Sequence, residues 1–211
     1  MSLVYSWRRF LHQNSFMEYG SYFSKSIHNS KSNPMAKFSD SDITLRPLDI
    51  SDADAAVEWY MDEKVSKFCS WEVFPSRESA VDYFVEQDLT HPWNRAICAA
   101  GRVVGSITVS SFSGCRGELG YALASEYWGR GIATRAVALA ATCAFLEMPH
   151  LERLEAVVDV DNPASQRVVE KAGFVREGVL RKYFLLKGRP RDAVIFSLLS
   201  TDPNVNYFVD E

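Results

Sequence analysis

The stretch richest in possible chemistry runs from Glu118-Leu119-Gly120-Tyr121-Ala122-Leu123 to Trp128-Gly129-Arg130-Gly131-Ile132-Ala133-Thr134. Leu119, Tyr121 and Leu123 alternate with smaller residues, the period of a strand. Ile132, Ala136, Leu139, Ala140 and Cys143 share one face at helical spacing. Two glycines lie between the patterns. A strand that passes through a glycine turn into a helix gathers unpaired amide N–H groups and the positive end of a helix dipole in one place. Such a place binds phosphate. Two common phosphate motifs are excluded: the chain has no Gly-x4-Gly-Lys-Ser/Thr run, and the dinucleotide fingerprint needs a small residue where Thr134 stands. Gly-x-Gly-x-Ala by itself also fits an ordinary tight turn. Gly120, inside the strand, marks a bulge or a close approach of backbone or ligand.

The elements that would position this stretch can be read in order. Residues 43–48 alternate as a strand. Ser51 is the expected N-cap of a helix reaching about residue 61, and Ser76 caps a second helix. Between them residues 65–74 read as irregular, with Phe68, Trp71 and Phe74 as core candidates. Residues 93–99 and 102–112 form a hairpin turning at Gly101, with a possible bulge at Gly105. After the central strand and its helix, residues 151–160 make a strand rich in valine. Pro163 then opens a helix that ends near Ala172, with Gly173 just past it. Two strands, 174–186 and 191–199, are joined by Lys187-Gly188-Arg189-Pro190. The helix from Gly131 is long enough to be a crossover, so the central strand and the strand at 151–160 should lie parallel.

Three runs, in this order and at these separations, carry a resemblance: Trp128-Gly129-Arg130-Gly131-Ile132-Ala133, Asn162-x-x-Ser165, and Glu170-Lys171-Ala172-Gly173-Phe174. Together they resemble the GNAT superfamily of N-acetyltransferases over about residues 43–199. The chain is most similar to the branch holding ribosomal-protein N-terminal acetyltransferases. The resemblance implies an α+β fold: a mixed, mostly antiparallel twisted sheet with helices on both faces and a splayed parallel strand pair. It implies acetyl-CoA as co-substrate, with the pantetheine arm in the splay against backbone groups of Tyr121, Ala122 and Leu123. The diphosphate would rest on Gly129, Arg130, Gly131, Ile132, Ala133 and Thr134, where a Cβ at either glycine would hold phosphates off. Asn162 would hydrogen-bond the pantetheine; an Asx turn before proline is the alternative.

The same resemblance implies catalytic roles. Glu118 is the expected base for the acceptor amine, and Ser165 the substitute acid for the leaving thiolate. Relatives often use a tyrosine where this chain has Val169. The family's usual Gln or Arg at the start of the glycine motif is Trp128 here. A peptide α-amine titrates at about 7.7–8.0 and a lysine at about 10.4, so a modest base suffices for an α-amine. The acceptor is expected to be a protein or peptide N-terminal α-amine. A small amine, or loss of the reaction in a CoA-binding sensor, are the alternatives. Arg181, Tyr183 and Asp192 are candidates for the acceptor mouth.

Composition sets bounds. The chain has 211 residues, 47% of them hydrophobic, which is enough for one domain with a full core. A net charge of −4 gives no reason to expect a nucleic-acid partner. The longest apolar run, 136–146, is too short to span a bilayer, and no membrane partner is expected. Four cysteines without a paired motif fit a reducing compartment, and four scattered histidines give no metal spacing, so no metal is expected. Residues 1–34 are serine-rich and carry Arg8, Arg9, Lys25 and Lys31 against one acid, Glu18. They read as a transit peptide for a plastid or mitochondrion, or as a plain tail on a cytoplasmic enzyme. Residues 35–201 are then the acetyltransferase domain and 202–211 a tail, in a monomer or homodimer.

Overall fold

The computed structural model describes residues 38–203 and 205. The leader at 1–34 and all of the tail but Asp202, Pro203 and Val205 lie outside them. The strands are β1 (Ile43–Pro47), β2 (Asn94–Ala99), β3 (Arg102–Ser113), β4 (Arg116–Leu123), β5 (Arg153–Asp159), β6 (Val175–Leu186) and β7 (Arg189–Leu199). The helices are α1 (Ala53–Tyr60), α2 (Glu63–Ser66), α3 (Arg77–Tyr83), α4 (Ile132–Glu147) and α5 (Pro163–Lys171). One seven-stranded sheet runs β1-β2-β3-β4-β5-β7-β6. Every pairing is antiparallel except β4 with β5. This is the mixed, mostly antiparallel sheet expected from the sequence.

The pleat divides the sheet into two faces. Trp93 and Arg95 both reach Glu147 at the end of α4, at 2.9 and 2.6 Å. Arg95 pairs with Ile107, and Ile107 with Tyr121, so Tyr121 shares the face that α4 covers. Ala136, Ala140 and Ala144 are fully buried there; small side chains let the helix lie close to the strands. On the opposite face Asn94 pairs with Thr108, and Thr108 with Gly120. The Asn94 amide donates to Asp88 O at 3.2 Å, at the end of a π-helical turn (Phe84–Asp88) that extends α3. Tyr60 of α1 donates to the Asp88 carboxylate. So α1 and α3 flank the face that carries Glu118.

Some local expectations change. A 3-10 turn (Ile50–Asp52), capped by Asp49, which accepts from Ser51 N at 2.9 Å, leads into α1, whose own N-cap is Asp52, so Ser51 caps neither. A short helix, α2, takes in the first two residues of the segment expected to be irregular, and 67–74 hold no helix or strand, as expected. Ser76 caps α3 as expected. Gly120 carries no bulge: β3 and β4 keep register from Gly105–Leu123 to Ser111–Gly117. The bulge in the preceding hairpin is at Val104, where the β2 register shifts beside Gly105. Gly105 answers to a close approach, since a Cβ there would stand 2.2 Å from Ala122 O. The last hairpin turns on Lys187 and Gly188 alone, with φ of 50° and 73°, as a two-residue turn requires. The tail is not inert: Val205 is buried, and Thr142 of α4 donates to its carbonyl at 3.1 Å. Among the described residues no helix is long and apolar enough to cross a membrane.

Beyond the helices, β5, β7 and β6 carry a charged cluster on the Glu118 face. Arg153 forks onto Glu177 at 2.7 and 2.6 Å, and Ser197 donates to the same carboxylate at 2.7 Å. The Arg153 bonds, then the Ser197 bond, push the Glu177 carboxyl down to about 2 from 4.5. A depressed carboxyl stabilises the fold fully above its unfolded value and loses that contribution as pH falls toward the folded one. Glu177→Gln should therefore flatten the loss of stability between about pH 4.5 and 2, as urea unfolding across that window would show.

Candidate active site

The glycine turn folds as a cradle. Gly129 and Gly131 have φ of 76° and 84°, in the left-handed region that side chains avoid. A Cβ on either would meet no protein atom within 4 Å. Conformation therefore demands both glycines, and the space above them is open to a ligand. Gly131 is the N-cap of α4 and provides no side-chain cap. The first rung inside the helix is Arg135 N to Gly131 O, at 3.2 Å. The N–H groups of Ile132, Ala133 and Thr134 precede that rung and point out of the helix end. They face a cavity of about 130 Å³ that the whole run from Gly129 to Thr134 lines, with Leu123 and Trp128 at its edge. The Arg130 guanidinium lies 5.5 Å from the centre of the Tyr127 ring and lines the same cavity.

The far wall of the cavity is α5, which supplies Ala164, Arg167, Val168 and Lys171. The sequence reading missed the two basic residues. The available signal was their spacing: Ala164, Arg167 and Lys171 fall on one helical face, one turn after Asn162.

Beside the cradle the parallel strands part. β4 and β5 pair only from Arg116–Arg153 to Glu118–Glu155. β4 then continues against β3 to Leu123, and β5 against β7 to Asp159. Ala124 N donates to Val104 O at 2.9 Å, so the antiparallel alternation commits Glu118, Gly120 and Ala122 to β3. Tyr121 and Leu123 turn their backbone groups toward the gap. Of the expected trio, Ala122 therefore spends its groups in the sheet. Trp128, where the motif departs from the family, donates its indole N–H to Leu123 O at 2.8 Å and fixes the rim of the gap.

Glu118 stands at the apex, on the last rung before the strands separate, and is 9% exposed. Its partner Glu155 is held by Arg153 at 2.9 Å and by Arg116 at 3.5 Å. Asn162 and Ser165 lie on the α5 side, both buried. The Asn162 side chain accepts from Ser165 N at 3.2 Å and caps α5. Ser165 Oγ accepts from the Tyr121 hydroxyl at 3.1 Å, joining β4 to α5 beneath the gap. Burial pushes the Tyr121 phenol well above its ordinary value, so it remains a donor. Val169 is fully buried and apolar. Arg181, Lys182 and Tyr183 form a bulge opposite Asp192, whose carboxylate accepts from Lys182 N at 2.7 Å; Arg181 and Tyr183 are exposed. The arrangement can hold a diphosphate on amide donors, lead an extended chain along Tyr121 and Leu123, and present a carboxylate where that chain ends.

Comparison with known proteins gives the family. YdaF of Bacillus subtilis, which has the provisional name of ribosomal N-acetyltransferase, is 28% identical over 172 residues, 76% of this chain and 92% of that one. Spermidine N(1)-acetyltransferase of Escherichia coli is 35% identical over 79 residues, 37% of this chain and 42% of its own. The structure of Mycobacterium smegmatis RimJ in complex with CoA-disulfide superposes with a TM-score of 0.63 at 25% identity, over 77% of this chain and 86% of that chain. The family model of the acetyltransferase (GNAT) domain matches residues 42–175, and the chain belongs to that family of N-acetyltransferases.

Proposed function

We propose that this N-acetyltransferase moves an acetyl group from acetyl-CoA to the N-terminal α-amine of a protein or peptide. The observation that carries the reading is Glu118 at the apex of the gap, where an acyl group delivered along Tyr121 and Leu123 would end. Acetyl-CoA supplies the activated thioester, and the chain's residues do the rest. The amides of Gly131 to Thr134 hold the diphosphate, and Arg167 and Lys171 add charge from α5. Glu118 accepts the proton of the attacking amine. Ser165, fixed by the Tyr121 donor and the α5 cap, turns its own hydroxyl proton toward the departing sulfur. One carboxylate matches an α-amine, which is close to neutral already; a lysine-type amine needs about 4 kcal/mol for deprotonation at neutral pH. The likeness to YdaF over 92% of that chain, whose provisional name is ribosomal N-acetyltransferase, supports a protein acceptor. The four cysteines are free, as suits the cytoplasm.

The partial likeness to spermidine N(1)-acetyltransferase favours a second reading, a small polyamine acceptor. Incubation with acetyl-CoA and a panel of peptides plus spermidine, read by thiol release and mass spectrometry, separates the two. The proposal expects acetylation of peptide α-amines; turnover of spermidine alone would replace it. CoA binding without turnover of any amine would make the chain a sensor.

The basic pair on α5 gives a separate expectation. Replacing both Arg167 and Lys171 by alanine should weaken acetyl-CoA binding about tenfold at low salt, and less at high salt. Calorimetry at two ionic strengths reads this directly.

A further inference from the structure

The cradle arginine is met by a segment that lies ahead of the first strand. The cavity lining holds three basic side chains, Arg130, Arg167 and Lys171, and no acidic one. Arg167 and Lys171 stand on α5. Arg130 stands on a turn between two glycines, so its own neighbours offer its long side chain little to rest on. Its guanidinium instead lies over two rings, 5.5 Å from the centre of Tyr127 and 5.9 Å from that of Phe38. Both distances are within cation–π range. Tyr127 ends the 3-10 turn (Ser125–Tyr127) that leads into the cradle, so the motif itself places it. Phe38 comes from far earlier in the chain and is placed by the fold. It is half-buried and packs against the main core. The residues behind it are pinned as well. Ser39 donates to the Asp42 carboxylate at 2.6 Å, Asp42 O accepts from Ala100 N at 2.8 Å, and Asp40 faces Arg135 of α4 at 4.0 Å.

We infer that Phe38 is a positioning residue for acetyl-CoA: with Tyr127 it holds the Arg130 guanidinium at the cavity, ready for the cofactor's diphosphate. The segment ahead of β1 is thereby part of the cofactor site, although the glycine motif lies far from it in sequence. A ring offers no lone pair, so the guanidinium donors stay available to phosphate oxygens. An arginine already in place also loses less side-chain freedom when the anion arrives, which tightens binding without a new contact. The inference rests on the reading of the cradle as the diphosphate site. It does not depend on the acceptor or on Glu118.

The test is calorimetry of the full chain with CoA, and with pantetheine, which has the arm but no phosphate, by displacement. Phe38→Ala should weaken CoA binding about three- to tenfold and leave pantetheine binding unchanged. Phe38→Tyr, which keeps the ring, should bind CoA within about twofold of wild type. Arg130→Ala should weaken CoA binding at least as much as Phe38→Ala. Adding Phe38→Ala to it should then cost less than about twofold more, because the ring has nothing left to hold. A merely structural role for Phe38 would weaken both ligands and would do so equally with or without Arg130. That result, or an unchanged CoA affinity in Phe38→Ala, overturns the inference. Wild-type protein that binds CoA no more tightly than pantetheine would overturn the diphosphate cradle itself, and this inference with it.

Discussion

Glu118→Gln should lower turnover roughly 10²- to 10⁴-fold while leaving acetyl-CoA affinity within about twofold, the usual reach of a positioned general base. The substitution keeps size and shape at a site only 9% exposed, so the strand should fold as before. What it removes is the capacity to take a proton where β4 and β5 separate. Glu155 on the neighbouring strand cannot stand in, because Arg153 and Arg116 hold its carboxylate as a counter-ion. The cradle amides belong to another part of the chain, which is why binding and turnover should separate. Steady-state kinetics beside calorimetry gives both numbers. Turnover within a few fold of wild type would move the base elsewhere.

Arg191→Ala should cost about 3–5 kcal/mol of stability, the range for stranding one member of a buried ion pair. The Asp159 side chain has no exposure, and Arg191 binds it with two hydrogen bonds of 2.8 Å while also reaching Asp161. Removing the guanidinium leaves a buried carboxylate with the Asp161 amide as its remaining described donor, at 2.8 Å. Against a typical total of about 5–15 kcal/mol, that is a large share. The pair also sits at the open end of the gap. Asp159 is the last residue of β5, and Arg191 ties it to β7 rather than to β4. Loss of the tie should therefore weaken acetyl-CoA binding as well. Urea unfolding checks the first effect, and calorimetry at a temperature where the variant is folded checks the second. A midpoint close to wild type would mean that Asp159 finds solvent or another donor.

The sequence showed the strand–turn–helix cradle because its signals are local: a period of two, two glycines, then a period near four. It showed the α5 ends for the same reason, through Pro163 and Gly173. It did not show why the strands part. Gly120 suggested a bulge, whereas the cause is a change of partner, with β5 following β7 while β4 follows β3. On the β5 side that choice is made by β7, whose paired residues lie 34 to 46 positions further along the chain, and no local pattern encodes it. Arg167 and Lys171 were missed because a charged helix face reads as solvated until α4 is seen beside it. The Tyr121–Ser165 bond and the His91–Ser110 bond join residues 44 and 19 apart. Only the folded sheet brings those hydroxyls together. Ser51 lost the cap positions to Asp49 and Asp52 because both residue types suit them, and the backbone decides between them.

The most direct measurement is a crystal structure of the acetyl-CoA complex. The account predicts the diphosphate within hydrogen-bond distance of the amides from Gly131 to Thr134, and the pantetheine arm along the backbone of Tyr121 and Leu123, ending beside Glu118. A diphosphate bound away from the start of α4, or an arm lying outside a gap closed by direct β4–β5 pairing, would contradict it.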